Sequence, residues 1–379
     1  MPLVYSVSFI AFLDTTLLVP VVALYAADLG AGVGIAGLLV GLYSIVNTPA
    51  NILFGRLIDR TGYRWPLAGG LLGDALGMLL YSLCRSPLHL ALVRVFHGIT
   101  GAVAGPATMS AIANHSAPGR EGRAMAVYGM SIAAANLLGF GLSGVVASRL
   151  GYQWLFMFGA VILLVGAVLG RMLPGTGRTV PAIPPPAGRG MRDLMHLFRR
   201  PGLVIAYAAV FAQYFSFGGV VTLLPIHLRA AGMEAFHMGM LLTVFSVAFI
   251  VVQLPGGTFS DRSGRREPVV AGLALAVVAV ALLSPQTAFA LLAVIMALYG
   301  AGCGLLFPSV SALVADHSCA HERGMATGVF HALLTAGVAV GAPVMGWAAE
   351  GMGVQVGLLL TPVMTALALG LALVLFRRA

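Results

Sequence analysis

Charged side chains are scarce in this chain of 379 residues, since Asp, Glu, Lys and Arg together make up 9% of it. Ordinary soluble domains carry about 25% of such residues. Hydrophobic residues make up 59% of the chain. This composition excludes a conventional water-soluble enzyme and predicts a polytopic membrane protein. Twelve spans of about 20 residues would use roughly 240 residues, which leaves short connections and no room for an additional globular domain.

Lysine is absent, and all 21 basic residues are arginines. Breaks at charged or Gly- and Pro-rich stretches delimit twelve predicted helical spans, at 3–26, 34–55, 67–84, 88–112, 123–147, 153–173, 201–228, 235–257, 268–284, 287–315, 324–350 and 353–376. Seventeen arginines fall on one side of these spans, and only Arg85, Arg149 and Arg229 fall on the other. The positive-inside rule therefore predicts a multi-pass protein of the cytoplasmic membrane with both termini in the cytoplasm. This topology accounts for the formal charge of +9 without a nucleic-acid partner.

Cysteine is also rare, and the three residues Cys84, Cys303 and Cys319 lie far apart without a CxxC pair. The run His317-x-Cys319-x-His321 lacks a complete tetrahedral ligand set, so no metal site is predicted. Neither an ATP-binding motif nor a nucleophile–base arrangement is present, so the sequence predicts no cofactor and no enzymatic activity. The energy source is then an ion gradient or the substrate's own gradient. The first hydrophobic segment lacks a preceding basic region and a cleavage site, which predicts a retained span.

Residues 174–200 are rich in Pro, Gly and Arg, and they are predicted to form a cytoplasmic linker between a six-span bundle at 1–173 and a second at 201–379. The two halves match at a constant offset of 202 residues. GRLIDRTGYR at 55–64 aligns with GTFSDRSGRR at 257–266, and Gly98, Pro106, Gly139 and Gly144 align with Gly300, Pro308, Gly341 and Gly346. Because each half has six spans, both keep one orientation. This predicts two parallel bundles with a substrate path between them.

The repeated loop motif and a second motif resemble the major facilitator superfamily over essentially the whole chain. The second motif is Arg94-x-x-His97-Gly98 followed by Gly101-Ala102, with His where the family usually has Gln. The resemblance implies an all-α membrane fold of twelve transmembrane helices in two pseudo-symmetric six-helix bundles. It also implies a conformational latch in the two loop motifs, formed by Gly55, Asp59, Arg60, Gly62, Arg64, Gly257, Asp261, Arg262, Gly264 and Arg265. Topology determination by positive charge is the simpler alternative for these residues.

Asp14 lies near the middle of the first span, where an ionised carboxylate costs about 2.5–3.5 kcal/mol on insertion scales. It is therefore predicted to face a cavity or a partner and to exchange a proton, although a purely structural carboxyl bonded to Thr15, Thr16 or nearby backbone is the alternative. Arg94 lies about four residues inside the fourth span. The resemblance implies that spans 1, 4, 7 and 10 line a central cavity, which makes Asp14 a plausible partner of Arg94. Asp74 is the alternative partner, and a fixed Asp74–Arg94 bridge would be structural.

Further polar residues inside the spans are weaker candidates. His97 lies one turn from Arg94, and it is either a proton relay or a packing residue. Other side chains either line the cavity or join helices together; these are Tyr43, Asn47, Asn136, Gln213, Tyr214, Gln253 and His331. The aromatic residues Phe211, Phe215 and Phe217 suit an amphipathic substrate, but they also suit packing.

The sequence therefore predicts a proton-coupled antiporter that exports a small amphipathic compound by alternating access, with protons, a small molecule and the lipid bilayer as partners and a monomer as the assembly. The resemblance to drug exporters, including Pro20 in the first span, favours export. In the fifth span Asn136 replaces the proline that family exporters tend to carry, which weakens this prediction. A proton-coupled importer is the nearest alternative, and a non-transporting receptor or assembly protein on the same fold is the second.

Overall fold

The computed structural model describes residues 2–115, 121–174, 195–319 and 322–378. Within these ranges the chain is helical and contains no strand, as predicted. The helices are α1 (Pro2–Leu18), α2 (Val22–Asp28), α3 (Val33–Thr61), α4 (Arg64–Tyr81), α5 (Pro87–Gly101), α6 (Ala104–His115), α7 (Glu121–Arg149), α8 (Tyr152–Met172), α9 (Pro201–Ala230), α10 (Ala235–Ser263), α11 (Arg266–Leu283), α12 (Phe289–Asp316), α13 (Arg323–Met352), α14 (Val354–Leu360) and α15 (Val363–Arg378).

Each of the twelve predicted spans has a helical counterpart among the described residues. Ten segments are long and apolar enough to cross a membrane, and α1 with α2 adds an eleventh if this pair, bent by 43°, counts as one span. The span predicted at 67–84 corresponds to α4, which is not among the ten; its 18 residues include the charged Arg64 and Asp74. Three predicted spans are broken, between α1 and α2, α5 and α6, and α14 and α15. Pro20 and Pro362 lie in the first and third of these breaks, and Pro106 lies in the first turn of α6. Proline removes a backbone hydrogen bond from a helix and so favours such breaks.

The second and eighth predicted spans end about two turns later than expected. α3 continues to Thr61 and α10 to Ser263, so the loop motifs predicted after these spans are largely helical. Gly62 and Gly264 then end the two helices with φ of +79° and +88°. A residue with a side chain is strained in this region, so the glycines set the turn at the same place in both halves.

The described helices fall into two compact units. Unit 1 comprises Met1–Gly32, Leu42–Ile183 and Met233–Thr243, and unit 2 comprises Val33–Gly41, Pro184–Gly232 and Val244–Ala379. The domain division at 173 and 201 stays a prediction, and most of the predicted linker, residues 175–194, lies outside the described residues, as does His321.

In unit 1, helix α1 packs along α7 through small and hydroxyl-bearing residues. The Thr16 hydroxyl donates to the Ala135 carbonyl at 3.0 Å, and the Ser143 hydroxyl donates to the Leu17 carbonyl. Gly139 faces Thr16 so closely that a Cβ atom at this position would clash with the threonine side chain. Such contacts hold helices together inside a membrane, where apolar burial alone gives little preference for protein over lipid.

In unit 2, helices α9 and α13 pack together as α1 and α7 do in unit 1. Here the glycines of one helix lie against the backbone of the other. A Cβ atom at Gly341 would lie 2.2 Å from the Phe215 carbonyl oxygen, and one at Gly337 would lie 2.6 Å from the Phe211 carbonyl oxygen. The Ser216 hydroxyl donates to the Thr361 carbonyl at 2.8 Å, which ties α9 to the α14–α15 connection. The pairing of the first with the fifth span in unit 1 therefore recurs for the seventh and eleventh spans in unit 2.

Candidate functional site

The interior of unit 1 contains a cluster of ionisable side chains centred on His97. The Nε2 atom of His97 lies 2.8 Å from Asp14 Oδ2 and 3.8 Å from Asp74 Oδ1. All three side chains are at least 98% buried. Asp14 lies on α1, Asp74 on α4 and His97 on α5, so three helices contribute one titratable group each. We call Asp14, Asp74 and His97 the acid–histidine trio.

Hydroxyl groups fix the orientation of each member of the trio. The Thr15 amide and hydroxyl both donate to Asp14 Oδ1, which leaves Oδ2 directed at His97. The Thr100 hydroxyl donates to Asp74 Oδ1. The Tyr81 hydroxyl lies 3.1 Å from His97 Nδ1, so both ring nitrogens of this histidine are hydrogen-bonded. Because the Nε2–H group donates to the Asp14 carboxylate, Nδ1 is the acceptor when the imidazole is neutral.

Tyr43 on α3 and Arg94 on α5 border the trio. The Tyr43 and His97 rings meet edge to face with their centroids 5.1 Å apart, and the Arg94 guanidinium carbon lies 5.2 Å from the Tyr43 ring centroid. Arg94 is 6% exposed, so a permanent positive charge is buried beside the trio. The structure therefore brings together Asp14, Asp74, Arg94, His97 and Tyr43, which the sequence nominated separately.

His97 lies beside both acids, a contact that the sequence did not suggest. The sequence proposed Asp14 and Asp74 as competing partners of Arg94, and that pairing stays a prediction. The sequence reasoning did not single out Tyr81 and Thr100. Tyr81 follows Asp74 by seven residues and Thr100 follows His97 by three, and both spacings place a polar group on one helix face. That periodicity is the signal that would have found them.

Among the described residues, the side chains of the trio are also close enough to one another to hold a metal ion. Their ligand atoms all lie within 4.8 Å of one another. Two ligand atoms on a tetrahedral zinc ion, each about 2.0–2.1 Å from the metal, lie about 3.3 Å apart. The Nε2–Oδ2 distance of 2.8 Å is instead that of a hydrogen bond between a ring N–H and a carboxylate. The geometry therefore fits a shared proton better than a metal ion.

The remaining cavity candidates lie outside the trio. The Asn47 amide donates to the Gly98 carbonyl at 3.3 Å and so joins α3 to α5, as the helix-joining alternative predicts. Asn136 is half-buried on α7, Gln253 is half-buried on α10, and His331 is exposed on α13. Gln213 and Tyr214 lie on α9 in unit 2, where the Gln213 amide donates to the buried Cys303 sulfur.

Unit 2 contains a run of aromatic rings on four helices. Neighbouring ring centroids in this run are 5.6 to 6.4 Å apart. Five of the six rings are half-buried and one is buried, and the Phe245 ring contacts the buried Tyr299 with its centroid 5.1 Å away. We call this set the aromatic run; it consists of Tyr214, Phe217, Phe245, Phe249, Phe307 and Phe330.

The two loop motifs carry different contacts. In the second copy Arg265 binds Asp261 and also Asp316 at 3.0 Å, and these hydrogen bonds raise the pKa of the Arg265 guanidinium. In the first copy the Arg64 guanidinium donates to the Arg171 carbonyl at 2.6 Å. Arg171 in turn stacks on Trp65 with its guanidinium carbon 3.8 Å from a ring centroid. The side chains of Asp59, Arg60 and Arg262 are exposed, and Gly55 has no neighbour within 4 Å of an added Cβ atom.

A family model described as Major Facilitator Superfamily matches residues 4–235 and 206–379. The curated relatives include the staphyloferrin B transporter of Staphylococcus aureus, which is 28% identical over 267 residues, corresponding to 67% of this chain and 63% of the relative. They also include the quinolone resistance protein NorA of the same species, 26% identical over 148 residues, or 39% of this chain and 38% of the relative. The chain therefore aligns with less than two thirds of each of these relatives.

Solved structures with the same fold cover almost the whole chain. A bacterial homologue of the human lysosomal transporter Spinster, in an inward-facing and unoccupied conformation, superposes with a TM-score of 0.84 at 14% identity, covering 99% of this chain and 96% of the other. A mutant of the nucleoside transporter NupG superposes with a TM-score of 0.82 at 14% identity, covering 99% and 100%. At these identities the likeness establishes the fold alone.

Proposed function

The chain belongs to the Major Facilitator Superfamily, and from this premise we propose that it is a proton-coupled secondary transporter that exports a small amphipathic compound from the cytoplasm. The observation that carries the proposal is the acid–histidine trio. Inside a membrane protein, a buried ionisable group that is not needed for folding marks an ion or substrate pathway. Two carboxylates and a histidine in mutual contact form a site whose proton occupancy can change.

Charge balance explains why this site binds a proton. With His97 protonated and both aspartates ionised, the trio and Arg94 sum to zero. Loss of the proton leaves a net charge of −1 in a buried site, which is unfavourable unless the surroundings change. Proton release therefore favours a conformation that admits water or another cationic group. Arg94 would respond to the change in net charge of the trio, and this response would link proton occupancy to substrate occupancy.

The energy of one proton is sufficient for export. Movement down about 100 mV and one pH unit supplies roughly 3.7 kcal/mol, enough for a substrate gradient of a few hundred-fold. In the proposed cycle the two six-helix bundles, residues 1–173 and 201–379, expose the site alternately to each side. The loop-motif residues Asp59, Asp261 and Arg265 would bias the two states.

The substrate class is supported by unit 2 and by the relatives. The aromatic run offers half-buried ring faces, and such faces bind planar or amphipathic molecules. One relative is named as a staphyloferrin B transporter and another as a quinolone resistance protein, and both names suit transport of an organic compound. The cytoplasmic membrane of a bacterium, with both termini inside, is the proposed location because of the arginine distribution.

The sign of the coupling can be tested with purified protein in liposomes. The probe is the compound, from a panel containing a quinolone and staphyloferrin B, that raises the melting temperature most, since a ligand that binds the folded form stabilises it. An antiporter accumulates this probe when the lumen is more acidic than the outside, because protons leave as the probe enters. Accumulation only with an alkaline lumen would establish import by symport instead. Equal accumulation of the probe with an acidic and with an alkaline lumen would contradict proton coupling.

A further inference from the structure

The second ring nitrogen of His97 is held by a hydroxyl group on α4. Tyr81 Oη lies 3.1 Å from Nδ1, and both side chains are fully buried. Tyr81 is held at its backbone and at its ring. The Tyr25 hydroxyl donates to the Tyr81 carbonyl at 2.7 Å, and the Phe156 ring centroid lies 5.4 Å from that of Tyr81. The oxygen therefore stays beside Nδ1 while its hydrogen can rotate about the C–O bond.

We propose that Tyr81 is a positioning residue that allows His97 to gain and lose a proton by reversing the direction of one hydrogen bond. When His97 is neutral, its proton is on Nε2 and the Tyr81 hydroxyl donates to Nδ1. When a proton arrives from a hydronium ion, an N–H bond forms at Nδ1 and a water molecule is left. The new N–H group then donates to the Tyr81 oxygen, which keeps its own hydrogen.

A hydroxyl group is the partner type that satisfies both states. A carbonyl or carboxylate beside Nδ1 would only accept, and it would hold a proton on this nitrogen at all times. A backbone N–H group would only donate, and it would oppose protonation. The other groups around His97 act on its charge. Asp14 on α1 and Asp74 on α4 place their carboxyl groups beside the His97 ring, and the ring of Tyr43 on α3 meets it edge to face. Arg94 on α5 brings a positive charge, and its side chain is also hydrogen-bonded to the Tyr81 hydroxyl.

The inference rests on the proposed function for its biological meaning, but protonation of His97 can be measured without transport. Uniform ¹⁵N labelling of histidine in the purified protein gives ring-nitrogen resonances, and the spectrum of His97→Gln identifies those of His97 among nine histidines. In the wild-type protein we expect a bare Nδ1 at high pH and protonation of both nitrogens at low pH. A neutral form with its proton on Nδ1 would overturn the inference without any change at position 81.

Replacing Tyr81 by Phe keeps the ring and removes the reversible partner. A charged N–H group left without an acceptor costs more than a neutral nitrogen left without a donor. We therefore expect Tyr81→Phe to require about tenfold more protons for half-protonation of His97, a shift of about one pH unit to lower pH. Tyr207→Phe is the matched control, because this buried tyrosine lies in unit 2, where its hydroxyl donates to the Ala326 carbonyl and does not touch His97.

An unchanged His97 titration in Tyr81→Phe, or an equal shift in Tyr207→Phe, would overturn the inference. Transport assays separate this result from failure of the proposed function. If His97 titrates as described but probe accumulation in His97→Gln still follows the pH gradient, the proposed coupling role is wrong, whereas the role of Tyr81 toward His97 stands.

Discussion

Asp14 is stable inside an apolar helix because each of its carboxylate oxygens has a donor. Oδ1 accepts from Thr15 and Oδ2 accepts from His97. Asp74 is held differently, since Thr100 is its direct donor and His97 lies 3.8 Å away. The two acids therefore contribute unequally to proton binding at His97. A hydrogen bond to a charged group contributes about 1.5–3 kcal/mol, and a pair at 3.8 Å without that bond contributes less.

Asp14→Asn should consequently impair proton-driven transport more than Asp74→Asn does. We expect a loss of proton affinity of roughly ten- to a hundred-fold for Asp14→Asn and about three- to tenfold for Asp74→Asn. The measurement is initial probe uptake as a function of pH in liposomes. Glu234→Gln, which neutralises an exposed carboxylate in a loop, is the control and should behave like the wild type. Equal effects of the two aspartate variants would show that the distances in the trio do not determine its proton affinity.

The sequence was sufficient to nominate the members of this cluster but not their pairing. Asp14, Asp74, Arg94 and His97 stood out because ionisable residues are rare inside apolar spans. The contact of His97 with both carboxylates depends on the rotation of α1, α4 and α5 about their own axes. Hydrophobic periodicity fixes this rotation poorly in a membrane, where helices are apolar on most faces. The Tyr81 hydroxyl was missed for the same reason.

The starts of α5 at Pro87 and of α9 at Pro201 were predicted within one residue, whereas the ends of α3 and α10 and the breaks inside three spans were not. The ends of α3 and α10 were placed too early because the charged residues of the loop motif suggested a loop, although Arg and Asp are compatible with a helix. The positive φ of Gly62 and Gly264 shows where the chain leaves the helix. Repetition of this feature in both halves reflects the internal duplication.

Gly62→Ala and Gly264→Ala should each lower thermal stability, because a Cβ atom in this backbone region costs about 1–2 kcal/mol. The expected drop is a few degrees in the melting temperature of the purified protein. Gly69→Ala on α4 is the matched control, since this glycine has open space around it and no positive φ. A stabilising effect of Gly62→Ala would mean that the turn adopts another conformation.

The close contact between α9 and α13 depends on Gly341 having no side chain. Gly341→Ala would place a methyl group 2.2 Å from the Phe215 carbonyl oxygen, and the helices would have to separate. Overpacking of this kind costs about 1–3 kcal/mol. Gly328→Ala lies on the same helix with nothing within 4 Å, and it should leave the melting temperature unchanged or slightly higher. Equal melting temperatures for the two variants would contradict the close backbone approach.

At the scale of the whole molecule, the twelve-span pattern and the 202-residue offset were enough to predict the fold class. These features are global, because apolar length and repetition persist even when individual boundaries are wrong. The relative importance of each cavity residue is not encoded in such patterns. The orientation in the membrane follows from the arginine distribution and stays a prediction.

Cys319 offers a direct test of this orientation. It is exposed near the start of α13, whereas Cys84 and Cys303 are buried. A membrane-impermeant maleimide should therefore label the protein in inverted membrane vesicles and leave it unlabelled in intact cells. Cys319→Ser should abolish the fast labelling. Labelling of Cys319 in intact cells would place this loop outside and reverse the predicted topology.

The central claim is that a proton bound at the acid–histidine trio moves in exchange for substrate. Lumenal pH, reported by a trapped dye in liposomes with an acidic lumen, measures this movement directly. Addition of the probe should make the lumen more alkaline as protons leave, and this response should be lost in Asp14→Asn and His97→Gln proteins that remain folded. Accumulation of the probe without a change in lumenal pH, or the same alkalinisation with Asp14→Asn, would contradict the account.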